Sequence, residues 1–191
     1  MNNKIQIVIL FSYLYGFFEI FMGVRQRLRR KQNIVKSGDR LSIWILFISI
    51  ALGYWLSINA LFSRFGNLHS TFVFFILGFM LAIFGLTVRI LSIYTLKQQF
   101  TYTVKKIEDH MLIEKGLYKK IRHPGYLGQL LIFFGLSVAM SNWISILCMV
   151  IPVFAGYLNR IVVEEKFLVQ QLGQEYLDYQ NRTKRLIPKI Y

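Results

Sequence analysis

The sequence is poor in the residues that mark several common protein classes. It has one cysteine, Cys148, so no disulfide can form within the chain and a secreted disulfide scaffold is excluded. It has three prolines against 16% aromatic residues, the wrong composition for a disordered chain. Acidic residues are scarce: nine Asp and Glu stand against 23 Lys and Arg, for a net charge of +14. The three histidines are His69, His110 and His123. They form no cluster with metal-ligand spacing, and no metal is expected.

What the chain has in excess is apolar sequence. Of its 191 residues, 55% are hydrophobic, where about 45–50% is usual for a soluble domain, and its mean hydropathy is +0.46. The excess lies in runs of roughly 20 residues, the length needed to cross a hydrocarbon core of about 30 Å. Five runs are readable: Ile5 to Val24, Leu41 to Phe62, Thr71 to Leu96, Tyr126 to Met140 and Trp143 to Asn159. The last two are short and separated only by Ser141-Asn142, so they read as a helical hairpin. The expected fold is an all-α integral membrane protein of about five transmembrane helices. It forms one membrane domain over 1–191, with three spans in 1–96 and the chemistry in 97–191. The first run exceeds a signal-peptide core and is followed by Arg25-Gln26-Arg27-Leu28-Arg29-Arg30-Lys31, with no small-residue cleavage site. It is read as a retained span.

Such a basic chain invites a nucleic-acid reading. The position of the charges opposes it, and no nucleic-acid partner is expected. Seven Lys and Arg fall in Arg25–Arg40, seven in Lys97–Arg122 and six from Arg160 onward. The intervening segments hold Lys4, Arg64 and none. By the positive-inside rule the N-terminus is outside and the C-terminus cytoplasmic. Two charges, Glu19 and Arg89, lie inside spans at similar depth. A charge within the membrane is expected to pair or to face a cavity; these two are expected to pair, the other reading being that Arg89 snorkels to the interface and Glu19 points into water.

Polar residues gather in two places on the cytoplasmic side. One is the stretch from His110 to Tyr126. The other begins at Arg160 with Glu164-Glu165 and continues through Gly173, Tyr176, Tyr179 and Arg185-Leu186-Ile187-Pro188. The hairpin between them folds the two together into a composite pocket at the membrane surface. Each element also has an ordinary structural reading. Pro124 suits the first turn of a helix. Arg160 and Glu164 sit four apart and suit a pair on one helix face. Gly173 suits a helix C-cap.

Together these residues resemble the isoprenylcysteine carboxyl methyltransferase family of integral membrane enzymes. The likeness runs from His110 through Gly116 and Tyr118 to Arg122-His123-Pro124-Gly125-Tyr126-Leu127-Gly128. It continues with Arg160, Glu164-Glu165, Gly173, Glu175-Tyr176, Tyr179 and Pro188. It covers the C-terminal half; the first half matches only in being apolar. The chain's size is similar to that of the small prokaryotic members, which implies a prokaryotic cytoplasmic membrane. The resemblance implies S-adenosylmethionine as methyl donor, with S-adenosylhomocysteine as product. It implies that His110, Met111, Leu112, Ile113, Tyr118, His123, Pro124, Gly125, Tyr126 and Glu164 line the cofactor site. It implies that Arg160 approaches the carboxylate of a lipid-like or prenylated methyl acceptor, as both catalytic and substrate-binding residue.

The residue types suit that chemistry. A carboxylate is ionised at neutral pH, so methyl transfer to it needs alignment more than a strong base. A guanidinium grips a carboxylate through two hydrogen bonds. The apolar spans would admit a lipid tail laterally, among membrane lipids, while a polar cofactor enters from the cytoplasm. A small lipophilic acid, phenol or amine stays open as acceptor. Two other readings stand beside this one. Membrane sterol reductases, which use NADPH, are similar in an Arg-His-Pro-x-Tyr segment and in an ending like Arg185-Leu186-Ile187-Pro188. A non-enzymatic membrane subunit would keep the fold without the chemistry, although nothing structural requires all the motif residues.

Overall fold

The computed structural model describes residues 3–29, 35–37, 41–62, 65–69, 71–96, 105–106, 112–188 and 191. Helices α1 (Asn3–Arg29), α2 (Leu41–Phe62), α3 (Thr71–Leu96), α4 (Pro124–Ala139), α5 (Trp143–Leu172) and α6 (Gln174–Arg182) carry the architecture. A short two-stranded ladder joins β1 (Val35–Ser37) to β2 (Lys105–Lys106), and a 3₁₀ turn covers Gly116–Lys119. Among the described residues four helices, α1, α2, α3 and α5, are long and apolar enough to cross a membrane, while α4 is shorter. At 16 residues, α4 is about 24 Å long, less than a full hydrocarbon core.

Helix α4 starts where Pro124 takes the first helical position and His123 the N-cap. Helix α5 starts at an Asn142 cap whose side chain accepts from the Ser145 amide at 3.0 Å. It does not stop at Asn159, where the apolar run ends, but continues to Leu172. A 30-residue helix is about 45 Å long, well beyond the ~30 Å of a hydrocarbon core. Gly173, at φ +57°, ends α5 and opens α6. That backbone conformation is one that side chains rarely adopt.

Helix α3 packs along α4 and α2 packs along α5. The α3–α4 contact is close because both faces are small. A Cβ on Gly135 would stand 2.5 Å from the Ala82 backbone nitrogen, and one on Gly78 would stand 2.3 Å from that of Ala139. In a membrane, where lipid is as apolar as leucine, such backbone approach replaces hydrophobic burial as the source of adhesion. Helix α1 leans on α4 through Tyr15, which meets Phe133 edge-on with ring centroids 6.2 Å apart.

The connections gather at two ends. The Gly66–Leu68 loop bonds to the α4–α5 turn, with Leu68 N donating to Ser141 O at 2.9 Å and Trp143 N to Gly66 O at 3.0 Å. The β1–β2 ladder joins the segment after α1 to the segment after α3, Val35 opposite Lys106 and Ser37 opposite Lys105. This grouping matches the alternation of basic and non-basic segments in the sequence.

The two intramembrane charges do pair. Arg89 donates from Nε and Nη2 to Glu19 Oε1 and Oε2, both at 2.9 Å, and Tyr15 OH donates to Glu19 Oε1 at 2.8 Å.

Candidate active site

The stretch from Lys120 to His123 is held as an edge by the C-terminal segment. Arg122 N donates to Lys184 O at 2.7 Å, His123 N to Arg185 O at 3.0 Å and Lys184 N to Lys120 O at 3.2 Å. This is a short parallel pairing centred on Ile121 and Lys184. It fixes the approach to α4 and explains why residues so far apart in sequence belong to one motif.

Glu165 secures the same region from α5. Its carboxylate accepts from Arg122 Nε at 2.8 Å and Arg185 Nε at 2.9 Å, and lies 3.2 Å from His123 Nε2. Arg122 also donates to the Gln180 and Thr183 carbonyls. Glu165 is buried, so its charge requires these partners. Tyr179 OH donates to Tyr118 O at 2.7 Å, tying α6 to the 3₁₀ turn. Burial pushes the Tyr118 and Tyr179 phenols above their ordinary range, so both stay protonated at neutral pH.

The chemistry-bearing residues meet one helical face away. The Tyr126 ring lies parallel to the His123 ring, 9° apart with centroids at 5.4 Å. Its hydroxyl donates to Glu164 Oε2 in a short hydrogen bond. Arg160 Nε points at the same hydroxyl from 3.4 Å, and Arg160 Nη1 donates to Ser42 Oγ at 2.6 Å. The Tyr126 hydroxyl therefore stands between Arg160 and Glu164. Arg160 is 2% exposed, whereas Glu164 is half-buried. An arginine, a phenol and a carboxylate so placed can orient an anion, present an aromatic face and accept from hydroxyl or ammonium groups.

Of the residues singled out from sequence, Tyr118, His123, Pro124, Gly125, Tyr126, Arg160 and Glu164 come together around the α4 N-terminus and α5. Leu112 and Ile113 lie half-buried just before the 3₁₀ turn. His110 and Met111 lie outside the described residues. Two positions have a packing role of their own. The His123 imidazole faces Glu165, and a Cβ on Gly125 would stand 2.9 Å from Arg89 Nη1. Sequence reasoning missed Ser42 as a partner of Arg160 and Glu165 as the hub. The adjacent Glu164-Glu165 pair was the available signal for the hub. Nothing near Ser42 marks its role.

The comparisons agree with the resemblance seen in the sequence. The phospholipid methyltransferase family model matches residues 73–175, more than half of the chain. A protein-S-isoprenylcysteine O-methyltransferase of Saccharomyces cerevisiae is 33% identical over 60% of this chain and 49% of its own length. An Arabidopsis thaliana protein-S-isoprenylcysteine O-methyltransferase B is 33% identical over 59% of this chain and 58% of its own. That of Schizosaccharomyces pombe is 26% identical, over 95% of this chain and 86% of its own. The chain spans about half the length of the first of these relatives. The solved structure of a eukaryotic intramembrane Ras methyltransferase, isoprenylcysteine carboxyl methyltransferase, shares the fold at a TM-score of 0.58 and 24% identity. The match covers 80% of this chain and 54% of that one. Together with its apolar helices, these likenesses make the chain a multi-pass integral membrane protein. It belongs to the phospholipid methyltransferase family, and within it the resemblance is to the isoprenylcysteine carboxyl methyltransferases.

Proposed function

We propose that the protein is an S-adenosylmethionine-dependent methyltransferase that methylates the carboxylate of a prenylated cysteine or a similar lipophilic acid at the cytoplasmic membrane face. The observation that carries this reading is the Arg160–Tyr126–Glu164 constellation at the α4 N-terminus. It lies among the residues that carry the sequence resemblance to the isoprenylcysteine carboxyl methyltransferases, and similar relatives are named isoprenylcysteine O-methyltransferases.

The residues fit the cofactor's chemistry. Half-buried Glu164 suits a ribose diol or an α-ammonium, and the Tyr126 ring, stacked on His123, offers aromatic surface. Among the described residues no group of acids, histidines and cysteines fits a metal ion. When bound, S-adenosylmethionine supplies an electrophilic methyl on a sulfonium. The protein's own task is then placement. Arg160, anchored by Ser42 Oγ, orients the acceptor carboxylate with its planar fork. Tyr126 separates Arg160 from Glu164, so the acceptor's partner and the cofactor's partner do not neutralise each other. Burial of Arg160 keeps bulk water away from the carboxylate it would hold.

Purified protein in detergent should bind S-adenosylhomocysteine and not NADPH by calorimetric titration. It should also move a labelled methyl group onto a small prenylated cysteine. Failure to bind S-adenosylhomocysteine ends this reading. Glu164→Gln should weaken that binding about tenfold, one charged hydrogen bond's worth. Arg160→Ala should leave it nearly intact and lower turnover at least about 100-fold. Arg160→Lys should recover little, because an ammonium lacks the fork. The orientation belongs to the same proposal: a reporter fused after Tyr191 should read cytoplasmic, and an external reading would move the site to the other face.

A further inference from the structure

The Glu19–Arg89 pair is costly where it lies. Arg89 is 3% and Glu19 16% exposed in their side chains, inside helices that cross the membrane. The pair joins α1 to α3, and its geometry does more than join them.

What the pair does is fix a guanidinium in one plane. Both carboxylate oxygens are engaged, one by Nε and one by Nη2, and Tyr15 OH donates to Oε1 as well. The face so fixed lies against the first turn of α4. A Cβ on Gly125 would come within 2.9 Å of Arg89 Nη1, and one on Gly128 within 2.7 Å of the Arg89 backbone nitrogen. Gly125 is flanked by Pro124 and by Tyr126, whose hydroxyl joins Glu164 and Arg160. The height of the α4 start on α3 therefore decides where Tyr126 stands.

We infer that Glu19 and Arg89 are positioning residues for the cofactor site: the paired guanidinium is the wall on which Gly125 rests, and it sets Tyr126 for binding. The inference rests on the methyltransferase reading, because its readout is affinity for S-adenosylhomocysteine. It also gives the first helix, which the family model does not cover, a part in the site.

Calorimetric titration of S-adenosylhomocysteine against wild type, Gly125→Ala, Arg89→Lys, the double variant and Glu19→Gln tests it, with melting temperatures measured alongside. Wild type that fails to bind overturns the methyltransferase reading; the remaining outcomes bear on the wall alone. Gly125→Ala should lose affinity about tenfold or more by pushing on the guanidinium. Arg89→Lys keeps the charge but removes the plane, and should lose less. The double variant should be no worse than Arg89→Lys, because the added methyl then meets a flexible amine, and such coupling is what a double-mutant cycle reads. Losses that simply multiply would mean that Gly125 meets the cofactor directly, and the inference would fall. Glu19→Gln decides independently if Arg89→Lys does not fold. It should lower affinity at least about threefold, acting through Arg89. A folded Glu19→Gln protein with lower melting temperature and unchanged affinity would make the pair purely structural and overturn the inference.

Discussion

The two ends of the helical bundle are held together by different means. At one end the Gly66–Leu68 loop meets the α4–α5 turn through backbone hydrogen bonds and neutral side chains. Asn142, fully buried, donates to Phe65 O at 2.8 Å and Asn67 Oδ1 at 3.0 Å while capping α5. Among the described residues 65–69 and 141–142 there is no Lys, Arg, Asp or Glu. At the other end Arg122, His123 and Arg185 converge on Glu165, and Arg160 reaches toward Tyr126 and Glu164. The first end shows that a tight connection at the membrane boundary can be made from neutral groups. The charges at the second end are therefore not needed merely to close a loop, and their cost points to work on a ligand.

The sharpest way to break this contrast is at the hub. Glu165→Ala leaves Arg122 and His123 buried without their shared acceptor, and removing one partner of a buried pair costs about 3–5 kcal/mol. Thermal unfolding in detergent should show the loss, with Glu165→Gln recovering part of it because the amide still accepts hydrogen bonds. A cost below about 1 kcal/mol, the range of surface substitutions, would mean that the charged end is as loosely held as an exposed pair.

The neutral end should respond less. Asn142→Ala removes the α5 cap and two further hydrogen bonds, at about 1–2 kcal/mol. Affinity for S-adenosylhomocysteine should stay at the wild-type value, since the change lies at the far end of α4 and α5. An altered affinity would show that the two ends communicate, and the separation drawn here would fail.

Much of this was legible because membrane spans are long and their signal is one of composition. Pro124 marked the start of α4, the Ser141-Asn142 break marked the turn, and matched depth predicted the Glu19–Arg89 pair. The apolar run of α5 ends near Asn159, while the four-residue spacing of Arg160 and Glu164 and the C-cap residue Gly173 mark the helix that continues past it to Leu172. The close approach of Gly78 and Gly135 was not read, since a glycine within an apolar run says nothing until its partner helix is known. Arg160 was picked out by its place in a motif, but its bond to Ser42 spans two helices and leaves no local pattern. Glu164 and Glu165 looked alike as a pair. Only the fold separates the one that faces Tyr126 from the one that gathers Arg122 and Arg185.

The smallest effect should come from the rim of the charged end, where Arg182 of α6 donates to Glu114. These side chains are 56% and 35% exposed, unlike the buried groups on Glu165. Two solvated side chains gain little by meeting, because water competes for each charge and ordering both costs entropy; such pairs contribute about 0.2–1 kcal/mol. Glu114 nevertheless follows Ile113 directly, so the pair tethers α6 to a segment expected to line the cofactor site. Arg182→Ala should lower stability by about 0.5 kcal/mol at low ionic strength, and the difference should vanish at about 0.5 M salt, where screening acts over a few ångströms. Affinity for S-adenosylhomocysteine should fall by less than about threefold, because Tyr179 still bonds to Tyr118 O from the same helix and a single exposed contact is rarely decisive. A loss of about 2 kcal/mol that persists in high salt would place Arg182 inside the buried network with Glu165. The charged end would then extend through α6 to the protein surface, and the line between its buried hub and its rim would have to be redrawn.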